Sequence, residues 1–180
     1  MNLKAEKKIN IKVEVLSNIN NTDLADLCNI TEQAINAGGG FGWLTVPPRP
    51  LLNKYWKGIM LVDNRKLIVG RLNNDIAGTL QLLLQASNNE AQQNISSITS
   101  HFVAPWARGY GLAKAMIDKA EELGKHNGAN CLQLDVRETQ DAAIALYERA
   151  GYIRWSSKDK YARVNSEYIR GYYYTKDLSL

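Results

Sequence analysis

The first patterned stretch of the chain alternates the apolar residues Ile9, Ile11, Val13 and Val15 at a spacing of two, which predicts a strand. After the Asn-rich turn from Asn18 to Asn21, Leu24, Leu27, Ile30 and Ala34 recur at helical spacing, with Asn21 or Thr22 as the capping residue. The cluster "GGGFGW" stops that helix. From Gly38 to Pro50 the chain is rich in Gly and Pro, which predicts a tightly turned loop of the kind that borders ligands. Leu51, Leu52, Tyr55, Trp56 and Ile59 mark a second helix. Two apolar runs then flank Asn73, Asn74 and Asp75, a hairpin signal, and "ASNNEAQQ" reads as a loop before the strand "NISSITSHFV".

Further on, Leu112, Ala115, Met116, Ala120 and Leu123 predict a helix that ends at Asn127 and Gly128. "CLQLDV" alternates as a strand. "QDAAIALYERAG" is a short helix with Ala143, Leu146, Tyr147 and Ala150 on one stripe and Gly151 as its stop. "YIRWS" and "YIRGYYYTKDL" predict two final strands, joined by a basic polar loop containing Lys158, Lys160 and Arg163. The order, strand-helix-helix-strand-strand-strand-helix-strand-helix-strand-strand, predicts an α/β (mixed α+β) fold with helices on the faces of one sheet. Residues 1–180 read as a single domain, with 1–8 as a flexible N-terminal arm.

Composition adds bounds rather than identity. The chain's 180 residues are enough for one well-buried core. A balance of 22 basic against 18 acidic residues, net +4, suits contact with phosphates but is too small to argue for nucleic acid. No apolar run approaches membrane-spanning length and no signal-peptide pattern opens the chain, so a cytoplasmic protein with no membrane partner is the expectation. Cys28 and Cys131 lack a CxxC partner or a His at ligand spacing. They read as free thiols, and no metal site is expected.

The chemistry-bearing stretch is "VAPWARGYGLAKAM", from Val103 to Met116. A strand end, a glycine-rich turn and a helix start together form a generic anion site, because the first amides of a helix have no internal partner and its dipole favours negative charge. Gly109 and Gly111 let a ligand approach the backbone, and Arg108 adds a charged donor. A dinucleotide fingerprint fails, since Lys114 stands where its third glycine belongs, and a Walker loop is absent. The pattern that fits is R-x-x-G-x-A, made by Arg108, Gly111 and Ala113 after Val103-x-Pro105.

These residues resemble the GNAT superfamily of acyl-CoA-dependent N-acetyltransferases, whose signature is [QR]-x-x-G-x-[GA] after a V-x-P strand end. A second block is similar to the family's later strand and helix, N-x-x-A-x-x-L-Y-x-x-x-G-[FY]. Ala143, Leu146, Tyr147, Gly151 and Tyr152 match it, and Gln140 stands where Asn is usual. More loosely, "GGGFGW", "GTLQLLL" and the C-terminal tail resemble the tabtoxin-resistance-like branch, which acetylates small amines. The resemblance implies a mixed, mostly antiparallel twisted sheet of about 6–7 strands flanked by about 4 helices.

It also implies acetyl-CoA as acyl donor without a metal. Phe102 and Val103 would bind the thioester and pantetheine. The diphosphate would sit on the segment Arg108, Gly109, Tyr110, Gly111, Leu112, Ala113 and Lys114, and Gln140 would contact the pantetheine arm. Tyr147 would be the general acid, since a phenol stays protonated at neutral pH, although its stripe with Leu146 and Ala150 also suits a core position. For the base, the strand before Val103 carries no carboxylate, which leaves Asp135, His101 or an ordered water. The aromatic residues Tyr55, Trp56 and Tyr172 to Tyr174 are candidates for an acceptor wall. The basic residues Arg154, Lys158, Lys160 and Arg163 are either solvated or contacts for an acidic acceptor or an adenosine phosphate.

The partner implied is a small amine-bearing molecule, handled by a monomer or homodimer. A protein or peptide amine, and a CoA-binding sensor without turnover, remain the alternatives.

Overall fold

The computed structural model describes residues 9–39 and 42–179. The N-terminal arm expected over residues 1–8, and Gly40 and Phe41 of the glycine-rich cluster, lie outside the described residues. The elements run β1 (Ile11–Leu16), α1 (Asn21–Asn36), α2 (Arg49–Ile59), β2 (Arg65–Leu72), β3 (Asp75–Leu83), β4 (Ile95–Val103), α3 (Leu112–His126), β5 (Cys131–Arg137), α4 (Asp141–Arg149), β6 (Ile153–Val164) and β7 (Glu167–Asp177). The sheet has seven strands in the order β1-β2-β3-β4-β5-β7-β6. Every neighbouring pair is antiparallel except β4 and β5, which α3 connects as a crossover. Mixed α/β architecture with a mostly antiparallel sheet and four helices is the observed fold.

Helices cover both faces. Gly70 on β2 and Gly78 on β3 are cross-strand partners, and a Cβ at either would strike α3, at the Leu112 side chain 2.7 Å away and at Met116 2.9 Å away. The glycines thus let α3 seat directly on the sheet. Gln81, of opposite parity on β3, instead donates to the Tyr55 hydroxyl of α2 at 3.0 Å, so α1 and α2 lie on the other face. There the fully buried Trp56 donates to Thr31 Oγ1 at 3.2 Å, while Thr31 satisfies its own proton on the Leu27 carbonyl at 2.6 Å. Cys28 is buried and Cys131 partly so; both are free thiols.

Local chemistry explains most boundaries. Asn20, one residue before the expected caps, caps α1 by accepting from the Asp23 amide at 2.9 Å. Gly38, Gly128 and Gly151 adopt positive φ just beyond α1, α3 and α4. The Asn73-Asn74 turn closes β2 onto β3 as expected, with Asn73 at φ 60°.

One expectation fails. The basic loop between the last strands is a long hairpin, in which β6 runs on to Val164 and turns through Asn165 and Ser166 at φ 49° and 68°. Positive φ at both turn residues matches the twist of the flanking strands. Ser is an unusual residue for that geometry, so composition alone did not signal it.

Gly70→Val places a branched side chain where Leu112 sits. We expect a loss of about 1–3 kcal/mol, read as a lower urea midpoint with an unchanged m-value.

Candidate active site

The site begins where β4 and β5 part. Their parallel pairing covers Ile95 to Ser97 against Cys131 to Gln133 and then stops, although both strands continue. On β4's other side a bulge follows: Thr99 pairs with Gln81 and Phe102 with Thr79, so one extra residue is accommodated, with Ser100 at φ 50°. Without the bulge, alternation would put His101 on the α1/α2 face. With it, His101 and Val103 turn to the α3 face and Phe102 to the opposite one.

Into this gap opens a cavity of about 1000 Å³. Its walls include Thr99 to Val103 of β4, Asp135 to Arg137 of β5, Leu146 and Tyr147 of α4, Gly39, Gly42 and Leu44 of the α1–α2 loop, and Tyr161 to Val164 of β6. The loop is tied across the cavity's edge. Arg137 Nη2 donates to the Gly39 carbonyl at 3.1 Å, and Gln140 Nε2 to the Gly38 carbonyl at 3.0 Å.

A second hollow of about 410 Å³ adjoins it, lined by Val103, Arg108, Gly109, Gly111 to Lys114, Ala142, Leu146 and Arg149. Gly111 caps α3 in the left-handed conformation at φ 78°, and Gly109 has φ 87° with open space where a Cβ would stand. The first bond of the helix runs from the Ala115 amide to the Gly111 carbonyl at 3.1 Å, so the preceding amides face the hollow without an intrahelical acceptor. This surface can hold an extended anion. Among the predicted contacts, Leu112 is a core residue that offers only its main chain, and the exposed Tyr110 lines neither hollow. Lys114 pairs with Asp118 one turn on.

Tyr147 Oη lies 3.1 Å from His101 Nδ1. Burial first, and the nearby Asp135 charge second, push the Tyr147 phenol above its ordinary value, so it is protonated at neutral pH. Burial pushes His101 down to about 4, against a weaker opposite pull from the Ala113 main chain. The His101 residue keeps partial surface exposure, but its Nε2 is shut from solvent and has no hydrogen-bond partner among the described residues. The ring is therefore neutral at physiological pH. In the tautomer with its proton on Nδ1, it donates to Tyr147 and leaves the phenolic proton free for the cavity.

Asp135 comes from the other face of the sheet. Leu132 packs toward Gly124 of α3, so the odd residues Gln133, Asp135 and Arg137 face α1 and α2. Tyr161 donates its hydroxyl to Asp135 Oδ2. Its ring covers Gly171, where a Cβ would collide with it, and lies edge-on to Tyr173 at 6.1 Å. A register shift in β6 between Lys158 and Ala162 aims Tyr161 there. Asp135 and Tyr147 thus approach one cavity from opposite faces, through the gap between the parted strands.

Most aromatics proposed for an acceptor wall are elsewhere. Trp56 is core, Tyr55 is bonded to Gln81, and the fully buried Tyr174 donates to Glu148 at 2.8 Å. Tyr161 does line the cavity, and no alternation in the segment around it marks it as a site residue. Among the described residues, no group of three or more His, Cys, Asp or Glu converges as a metal site, and no helix is long and apolar enough to cross a membrane.

Residues 30–152 match the model of the acetyltransferase (GNAT) family. The chain is 47% identical over 130 residues, 72% of its own length and 77% of the relative's, to an uncharacterised N-acetyltransferase of Azospirillum brasilense from the hisH–hisA intergenic region. It is 27% identical over 142 residues to an uncharacterised N-acetyltransferase of Methanocaldococcus jannaschii, covering 79% and 62% of the two chains. In fold it is similar to an N-acetyltransferase of Staphylococcus aureus Mu50, with a TM-score of 0.79 at 16% identity over 94% and 99% of the chains. It is also similar to a Salmonella typhimurium protein solved with its cofactor acetyl-CoA, with a TM-score of 0.75 at 12% identity over 93% and 94%. The chain belongs to the GNAT family and is an acetyl-CoA-dependent N-acetyltransferase.

The His101 environment sets a pH dependence of stability. The native ring binds its proton only near pH 4, against 6.5 as the ordinary value. Between those values the unfolded chain holds more protons, so stability is full above the window and falls as pH drops through it. Because the residue is not fully covered, we expect a loss on the order of 2 kcal/mol. His101→Gln should show a shallower decline between neutral pH and about pH 4.5, measured by denaturant unfolding.

Proposed function

We propose that the enzyme moves the acetyl group of acetyl-CoA directly onto the primary amine of a small molecule, with both substrates bound at once. The observation that carries this reading is the cavity between the parted strands, which adjoins the α3 hollow and shares Val103, Arg108, Ala113 and Leu146 with it. It continues from the α3 anion hollow to Asp135 and Tyr161, and the tied α1–α2 loop and the β6 hairpin wall its far end. A walled space of this size suits a small acceptor better than a peptide groove.

The residues present fit coenzyme A. Unpartnered amides at the start of α3, two glycines with open space and the guanidinium groups of Arg108 and Arg149 match a diphosphate. Phe102 and Val103, at the end of β4 that lines the cavity, are suited to the pantetheine and thioester. Gln140 is assigned a different task from the one the family pattern suggests, because its amide holds the Gly38 carbonyl. When bound, acetyl-CoA supplies the acyl group as a thioester and a thiolate as leaving group.

Around that chemistry each side chain moves or holds a proton. Asp135 accepts a proton from the acceptor's ammonium, so that the nitrogen lone pair can form the C–N bond, and the Tyr161 hydroxyl fixes the carboxylate's direction. Tyr147 delivers its phenolic proton to the sulfur as the C–S bond breaks, and the phenolate takes up the second proton that the new amide nitrogen sheds, which restores the phenol. His101, on the far side of the phenol oxygen, supports the developing negative charge and keeps the hydroxyl aimed. Its neutral ring, with Nε2 shut from solvent and Nδ1 on the phenol, makes it a partner of Tyr147 rather than a base for the amine.

Tyr147→Phe should lower kcat by roughly 10²-fold or more while the KM for acetyl-CoA stays within about twofold, measured by thiol release. Unchanged turnover would remove the acid role.

A further inference from the structure

The arginines of this chain fall into two groups. Arg49, Arg65, Arg71, Arg154 and Arg170 each donate to a side-chain oxygen, of Glu32, Gln81, Glu14, Glu148 and Asp159 respectively. Arg108, Arg137, Arg149 and Arg163 have no side-chain partner among the described residues, and all four line the two hollows. A guanidinium held at a cavity wall without a counter-charge is poised for an anion that arrives from outside.

The anions needed differ by place. Arg108 and Arg149 border the α3 hollow and are accounted for by the coenzyme's phosphates. Arg137 and Arg163 line only the larger cavity. Arg137 stands two residues beyond Asp135 on the same face of β5, and Arg163 follows Tyr161 on β6, whose hydroxyl is bonded to Asp135. Arg137 spends one nitrogen on the Gly39 carbonyl, and its other donors have no recorded partner among the described residues. A carboxylate suited to an ammonium thus lies one strand repeat from a guanidinium suited to an anion, with a second guanidinium on the neighbouring wall.

We propose that the acceptor is an amine that also carries an anionic group, of the amino-acid type, with the nitrogen directed to Asp135 and the anion held by Arg137 and Arg163. The assignment rests on the small-acceptor reading above and names its substrate class. Recognition of the anion fixes the acceptor's orientation, so that its nitrogen meets the thioester from the Asp135 side. A neutral amine of the same shape forgoes the charge-assisted bonds to the half-buried Arg137 and the exposed Arg163, and is held less well for lack of them.

The test is acetylation, by thiol release and product mass, of a panel of amino acids, each alongside its carboxamide and its decarboxylated amine. The free acids should exceed their carboxamides in kcat/KM by at least roughly tenfold. Arg163→Gln should raise the KM of the preferred acid by about tenfold or more with the KM for acetyl-CoA unchanged, and should erase most of the preference over the carboxamide. Arg137→Gln should do the same; because Arg137 also ties the loop, Arg163 gives the independent reading.

Carboxamides or simple amines that serve as well as the acids would overturn the inference and leave the small-acceptor reading standing. So would a preference for acids that neither variant alters. Acetylation of a peptide amine with no turnover of any panel member would overturn both.

Discussion

The parting of β4 from β5 is the constraint on which the rest of the site depends. Two neighbouring parallel strands keep their ladder for three residue pairs, Ile95 to Ser97 against Cys131 to Gln133, and then diverge while both remain extended. Each strand therefore carries main-chain groups that the ladder no longer satisfies, in the middle of a sheet rather than at its edge. Such groups are costly when buried without a partner. An extended ligand with amide groups of its own can pair with the strand edges that face the gap, and the gap also joins the two faces of the sheet. The Ser100 bulge, the tied α1–α2 loop and the overreaching β6 hairpin all shape that passage.

The gap also determines what the titrating groups can do. Tyr147 and His101 sit on the α3 side, where burial favours the neutral form of both, raising one pKa and lowering the other. A phenol held this far from ionisation would be a poor acid in isolation. In the acid role proposed for it, the neighbouring imidazole would offset that by stabilising the phenol oxygen as it loses its proton. Asp135 enters from the more exposed face with a single hydroxyl, that of Tyr161, recorded as its donor. The proposed base near solvent and the proposed acid away from it would match a reaction that begins with an ammonium and ends with a thiol.

Periodicity and turn chemistry were sufficient for the element order, for the Asn73-Asn74 hairpin and for the α3 cap, because each rests on residues adjacent in sequence. The glycine-rich helix start was legible for the same reason. The acceptor side was not. Tyr161 looked like part of a polar loop, since Lys158, Asp159 and Lys160 carry no strand alternation, and its contact with Asp135 depends on a register shift opposite Gly171. His101 could not be placed either, because simple alternation from Ile98 puts it on the wrong face and only the Ser100 bulge corrects this. Arg137 and Arg163 are distinguished by the side chains they do not meet, a property of the folded chain alone.

This difference in legibility has a structural cause with a functional side. The anion hollow is assembled largely from one continuous segment, Val103 to Lys114, plus one face of α4, so its geometry is set by local backbone conformation. The acceptor wall joins the α1–α2 loop, the end of β5 and the bulged part of β6, which meet only once the whole sheet is formed. Under the proposed assignment, substitutions in the wall can alter which amine is held without touching the helix start assigned to the coenzyme. A fold built this way keeps one donor and one proton path while leaving acceptor choice to an edge strand, whose exposed positions tolerate change at little cost to the core.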